Sequence, residues 1–421
     1  MNMKYKTKWG TCLLITTLLL SAFIRPDEDW GFFVHRRINR LAVFTLPVDL
    51  IGFYKKNVEY ITDHATDPDM RRYVVPIEGI KHYIDLDNWN WKELPKDFIA
   101  TRRMFTEVFI INEKQDTLRL FGQHNTTQGD WNLILKGDNF SHFFAKDSIV
   151  VLKETFNQFF YKQIHHYQYL DRWKLNCDSI RTFFDFHGFD LDCKKAFAID
   201  TFVQHGILPY HLARMQKNLT EAMRMRNVKQ ILRLSADLGH YIGDAHVPLH
   251  TTSNYNGQQT DQVGIHAFWE TRLPELFADD TYDYFVGKAT YIDKPIDYYW
   301  EIVLNSHSLV DEVLGIEKEL SHSFPEDQQD CFVERGEGYI QIMACEAYAS
   351  SYHERLNGQV EKQLRAAILA LGNAWYTAWV DAGQPELEKL IDNRDQNREL
   401  KEEKALLDAI KKGKIFGRKH E

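Results

Sequence analysis

The sequence predicts a mainly α protein, a multi-helix body carrying a strand-containing insertion, and three observations predict it. Apolar residues at 34, 38, 41 and 42 form a helical stripe that Pro47 closes. Helical texture returns from Lys194, with an amphipathic run from Leu219 to Leu238 and long core helices expected over Tyr339 to Tyr352 and Gln359 to Val380. Between these stretches, from about 100 to 200, the texture changes. Thr106 to Asn112 and Thr117 to Phe121 read as strands around the polar turn Glu113-Lys114-Gln115-Asp116, and Trp131 to Leu135 and Ser148 to Leu152 add further strand signals.

With 421 residues, 44% of them hydrophobic and 14% aromatic, the chain buries a large core, as one big domain or two. A net charge of -9 argues against a broad basic nucleic-acid surface. It does not exclude a nucleotide substrate, because bound metal ions supply local positive charge. Lys4, Lys6 and Lys8 followed by the apolar run Thr11 to Ile24 read as an export signal, with an uncleaved anchor as the alternative. The chain is therefore expected to be periplasmic or secreted. The expected organisation is signal and link over 1–29, a catalytic helical domain over 30–384 and a charged tail over 385–421. Outside the signal, Cys177, Cys193, Cys331 and Cys345 allow two disulfides in three connectivities, which spacing does not rank.

The chemistry concentrates in Gly239-His240-Tyr241-Ile242-Gly243-Asp244-Ala245-His246-Val247-Pro248-Leu249-His250, continued by His266-Ala267-Phe268-Trp269-Glu270. His240 and Asp244 are four apart, so on a helix they share one face, and His266 and Glu270 repeat that geometry. Pro248 ends the first helix and turns His250 back toward the same place. One such pair is an ordinary surface feature. Two pairs with a His at the bend supply the nitrogen and oxygen donors that zinc takes. His246 lies off the His240 face and reads as structural, and His64, His205 and His211 stay unassigned. Asp237, one turn before His240, reads as a solvated acid, with orientation of an imidazole as the alternative. Upstream, Asp63-His64-Ala65-Thr66-Asp67-Pro68-Asp69 and His82-Tyr83-Ile84-Asp85 form a second polar cluster.

Taken together, these motifs resemble the zinc-dependent superfamily of secreted single-strand-specific nucleases and bacterial phospholipase C. The matching positions, in order, are Trp30, His35, Asp67, His82, His240, Asp244, His250, His266 and Glu270. The resemblance covers roughly 30 to 91 and 200 to 275; the insertion lies outside it. It implies a nuclease/phospholipase C-like helical body with three Zn2+ ions. Asp67, His82, His240 and Asp244 would hold one, and His250, His266 and Glu270 a second. The α-amino nitrogen and carbonyl oxygen of Trp30, with His35 and a bridging Asp244, would hold the third. It also implies hydrolysis of phosphate esters by metal-activated water, with Asp67 orienting that water and sharing in proton transfer.

The five-residue step from Trp30 to His35, Trp269 and Leu273-Pro274 resemble the nuclease branch, whereas Glu270 matches phospholipase C. Single-stranded nucleic acid or a nucleotide is the expected substrate, with a phospholipid head group as the alternative. Tyr83, Trp89 and Trp91 are open both to base stacking and to packing under the loop, with Tyr83 as the stacking candidate. A non-catalytic zinc-stabilised binding protein is a third reading, disfavoured by the complete ligand set. The chain is expected to act as a monomer without an obligate protein partner. Trp30 can offer an amine ligand only as a free N-terminus. Asp27 and Asp29 are poor residues for signal peptidase, so a second trimming step is expected to expose Trp30. N-terminal sequencing of the native exported protein checks this: an active three-zinc protein starting upstream of Trp30 would remove the amine ligand.

Overall fold

The computed structural model describes residues 32–88, 90, 94, 96–121, 133–134, 150–151, 153–165, 170, 172–183, 192–335 and 339–390. The fold is mainly α, with small sheets, and the strand-containing segment interrupts the helical body. The candidate export signal, Trp30, Trp89, Trp91 and the terminal charge run lie outside the described residues.

The body is built on two antiparallel helices, Leu208–Arg224 and Val228–Ala245. The expected single run from Leu219 to Leu238 is thus divided. Arg226 adopts the left-handed region at φ 52°, and the Asn227 side chain caps the second helix by accepting from the Gln230 amide. The amphipathic pattern crosses the break unaltered because both helices bury their apolar stripes in one core. Against this pair pack the first helix, Phe32–Ala42, and the long Gln359–Asp381. Buried polar contacts lock them: the Trp375 indole donates to the Ser235 carbonyl at 3.2 Å, and Tyr54 stacks on Trp375 with centroids 4.5 Å apart. No helix among the described residues is long and apolar enough to cross a membrane.

The insertion folds around four strands, β1 (Thr106–Ile111), β2 (Thr117–Phe121), β5 (Arg172–Leu175) and β6 (Lys195–Asp200), in antiparallel order β2-β1-β6-β5. β3 (Leu133–Ile134) and β4 (Val150–Val151) pair separately, within the two weaker strand signals. Val108, Ile110, Ala196 and Ala198 turn inward to a cluster with Phe156, Phe159, Phe160 and Trp173, distinct from the helical core. Cys177–Cys193 cross-links this unit, which selects one of the three connectivities.

The second disulfide, Cys331–Cys345, pins the base of a hairpin formed by β7 (Asp330–Arg335) and β8 (Tyr339–Ala344). This corrects the helix expected over Tyr339 to Tyr352: the first half is strand, and only Glu346–Arg355 is helical. Ile340, Ile342 and Ala344 alternate with Gln341 and Met343, a period-2 pattern that the downstream helix obscures in sequence.

Where the insertion joins the body, the Arg102 guanidinium donates to the buried Asp200 carboxylate at 2.7 Å, and Asp200 also accepts from the amides of Phe202 and Val203. Arg102→Met leaves a buried carboxylate without its cation and is expected to cost about 3–5 kcal/mol, with Arg102→Met/Asp200→Leu recovering most of it. Chemical denaturation of the three proteins checks this.

Candidate metal centre

The centre is assembled on the last turns of Val228–Ala245, buried from Ser235 onward. His240 and Asp244 share one face there. Gly239 and Gly243, also four apart, form a groove facing the first helix, whose Asn39 and His35 lie in it. A Cβ at Gly239 would overlap the Asn39 side chain, and one at Gly243 would stand 2.7 Å from His35 Nδ1. Asn39 spends its amide on the Ile61 and Ala236 carbonyls, at 3.0 and 3.1 Å, fixing the crossing. His35 thereby stacks on His240 with centroids 4.0 Å apart.

The Asp244 carboxylate faces two ways. Oδ2 lies 2.9 Å from His82 Nδ1 and 3.5 Å from His240 Nε2; Oδ1 lies 3.5 Å from His35 Nε2 and 3.9 Å from His250 Nε2. Pro248–Thr251, a 3-10 turn, carries His250. His266 and Glu270 stand on a helical segment that widens into a π turn over Phe268–Arg272, the kind of distortion found at functional sites. Glu270 Oε2 lies 2.8 Å from His266 Nε2 and 3.5 Å from His250 Nε2, while Oε1 lies 3.5 Å from His35 Nε2.

Backbone carbonyls set the imidazoles. His240 Nδ1 lies 3.0 Å from the Ala65 carbonyl and His266 Nδ1 lies 2.9 Å from that of Tyr255. Each therefore carries its proton outward on Nδ1 and turns a lone pair on Nε2 inward. Burial, with the charge of His35 next, holds the His240 imidazole well below its ordinary range, and burial likewise lowers His250 against the Glu270 carboxylate. Both are neutral donors. Burial, reinforced by Asp69 and Glu270, pushes the Asp244 carboxyl well above its ordinary range, which Arg72 only partly offsets. Burial would raise Glu270 too, but the neighbouring His250, His266 and His35 outweigh it and hold that carboxyl well below its ordinary range.

Inward lone pairs converging with buried carboxylates form a donor set whose chemistry fits a divalent metal. Among the described residues, three groups have ligand atoms close enough to hold one: His35, His240 and Asp244; Asp69, His82 and His240; and His250, His266 and Glu270.

Of the residues expected from sequence, His35, His82, His240, Asp244, His250, His266 and Glu270 come together; Trp30 lies outside the described residues. Asp67 does not join them. It opens the short helix Asp67–Arg71 ahead of Pro68, and its Oδ2 lies 2.9 Å from His64 Nδ1. Asp69, two residues on and so turned to the other side of that helix, stands 3.7 Å from His82 Nδ1 and 3.6 Å from His240 Nε2. Arg72, buried and 3.3 Å from Asp69, steadies it. Asp67-Pro68-Asp69 places two acids at the matching motif, and the spacing alone does not separate them.

Tyr83 is not an open stacking platform. It is buried under the 203–206 turn, its hydroxyl donating to the Gln204 carbonyl at 3.0 Å, and Gly206 at φ 86° passes so close that a Cβ would overlap its backbone. Asp237 is buried against Arg71 at 3.0 Å rather than solvated. His246 lies off the cluster: its Nδ1 bonds the Ile242 carbonyl at 2.7 Å, and burial lowers it to about 4.

Among known proteins, no family model matches this chain and no curated protein matches it.

If Asp69 is the ligand, Asp69→Asn lowers retained metal by at least one ion per chain while Asp67→Asn leaves it intact. Elemental analysis after gel filtration checks this; equal retention by both would return the assignment to Asp67.

Proposed function

We propose that this chain is an exported zinc-dependent hydrolase of phosphate diesters holding up to three ions. The observation that carries the reading is the shared Asp244 carboxylate, whose two oxygens reach two different imidazole sets within one buried cluster. Ions held side by side there activate a water for attack on phosphorus and neutralise the charge of the departing oxygen. The protein's own part is positional. Ala65 and Tyr255 hold His240 and His266 in one tautomer, and the first helix holds His35 in place. Asp69 has 25% of its side chain exposed, against 2% for Asp244 and 10% for Glu270. It is the ligand carboxylate most open to incoming substrate, and it takes the proton-accepting role first given to Asp67.

For substrate, a phospholipid head group is favoured. Burial of Tyr83 removes the stacking ring expected for a base, Glu270 matches the phospholipase C branch, and a net charge of -9 opposes a polyanion. Single-stranded nucleic acid is the second reading, supported by Trp269 and Leu273-Pro274, which resemble the nuclease branch.

A hydrolysis panel of phosphatidylcholine, single-stranded DNA, RNA, 3′-nucleotides and bis(p-nitrophenyl) phosphate tests both readings. Activity is expected to vanish with a chelator, return with zinc, and fall at least a thousandfold in His240→Ala. Tyr83→Phe is expected to leave relative rates on all substrates unchanged. No hydrolysis of any diester by the zinc-loaded protein would refute the proposal.

A further inference from the structure

The β7–β8 hairpin carries a face that the catalytic reading leaves unused. Phe332 pairs with Ile342 and Glu334 with Ile340, so these four side chains share one face of the ladder. Phe332 is 80% exposed, Ile342 64% and Ile340 62%. Three large apolar side chains, adjacent and this exposed, differ from the scattered single hydrophobes that any surface tolerates. We propose that this face docks on a neutral, zwitterionic phospholipid surface.

Size, charge and placement argue for that occupant. Three such side chains present roughly 300–400 Å², half or less of the about 800 Å² per partner that a stable protein interface buries. An apolar wedge of that size suits insertion at a lipid–water boundary. From 326 to 337 the sequence holds Glu326, Asp327, Asp330, Glu334 and Glu337 against Arg335 alone. That surround repels nucleic acid and anionic leaflets and tolerates a zwitterionic one. The hairpin is also fastened to the metal centre. Arg272, in the π turn that holds Glu270, donates from Nε to the Ala344 carbonyl at 3.0 Å, and Cys331–Cys345 closes the base. A lipid-docked hairpin therefore holds the turn bearing Glu270 at a fixed offset from the head-group plane. The inference deepens the phospholipid reading and rests on it for its purpose, although docking itself is measurable without hydrolysis.

The test is flotation of the zinc-loaded protein with phosphatidylcholine vesicles, beside Phe332→Ser/Ile340→Ser/Ile342→Ser. The natural chain is expected to float and the triple variant to bind at least tenfold more weakly, with turnover of bis(p-nitrophenyl) phosphate unchanged. Should the triple variant misfold, Phe332→Ser alone is expected to weaken binding at least threefold. Equal flotation of variant and natural chain, or none by either, would overturn the docking surface. So would flotation restricted to phosphatidylglycerol vesicles, or a natural dimer that the variant dissolves. Hairpin-dependent flotation without phosphatidylcholine hydrolysis keeps the surface and removes the phospholipid as substrate. Hydrolysis that ignores the hairpin substitutions removes the surface and keeps the substrate.

Discussion

A carboxylate buried as deeply as Asp244 is costly unless something positive compensates it, and the structure is arranged around that one group. Its two oxygens address His82 and His240 on one side and His35 and His250 on the other. Desolvating a carboxylate costs several kcal/mol even after relaxation, and the nearest cation, Arg72, offsets only part of it. Of the imidazoles around it, burial holds His240 and His250 below their ordinary range, so these two do not repay the rest. A divalent cation reverses this balance, because every neutral nitrogen and every carboxylate then gains a partner. A metal held there would couple its own binding to the stability of the helical body through the same residues.

That arrangement depends on two helices approaching more closely than side chains normally allow. Gly239 and Gly243 repeat at the spacing of one helical turn, and so do His35 and Asn39 opposite them. The first pair removes the Cβ atoms that would keep the second pair out. The glycines thus lose some helix propensity and in exchange place His35 against His240 and Asp244. Asn39 supplies the latch, donating to a carbonyl on each side.

Much of this was legible in the sequence, and the parts that were not share a cause. Paired ligands four apart, the bend at Pro248 and the hairpin over 106–121 are local, and local spacing carries them. Asp67 and Asp69 differ only by which side of one short helix each leaves, and that depends on where Pro68 starts the helix. Tyr83 looks available for stacking because the chain that covers it, 203–206, is more than a hundred residues away. The break at Arg226 disappears behind a continuous apolar stripe. β8 was hidden because its six residues run directly into a true helix. For Tyr83 the deciding contact is non-local, and for the break at Arg226 the deciding feature is a single backbone dihedral.

The same logic explains where the cross-links lie. The helical core is large and continuous, and of the four bridged cysteines only Cys345 belongs to it. Cys177–Cys193 sits in the insertion, whose separate apolar cluster is small, and Cys331–Cys345 holds a two-stranded hairpin that has no core of its own. Such units gain most from a covalent staple. The insertion leaves the body after His82 and returns before His240, and none of its described residues enters the metal-binding groups. Its return is pinned beside its departure: Ile84 bridges Gly206, Asp85 lies 3.2 Å from His205, and the Ile84 amide donates to the His250 carbonyl at 2.9 Å. With both ends held at the edge of the centre, roughly a hundred intervening residues can differ in shape or purpose while His82, His240 and His250 keep their places.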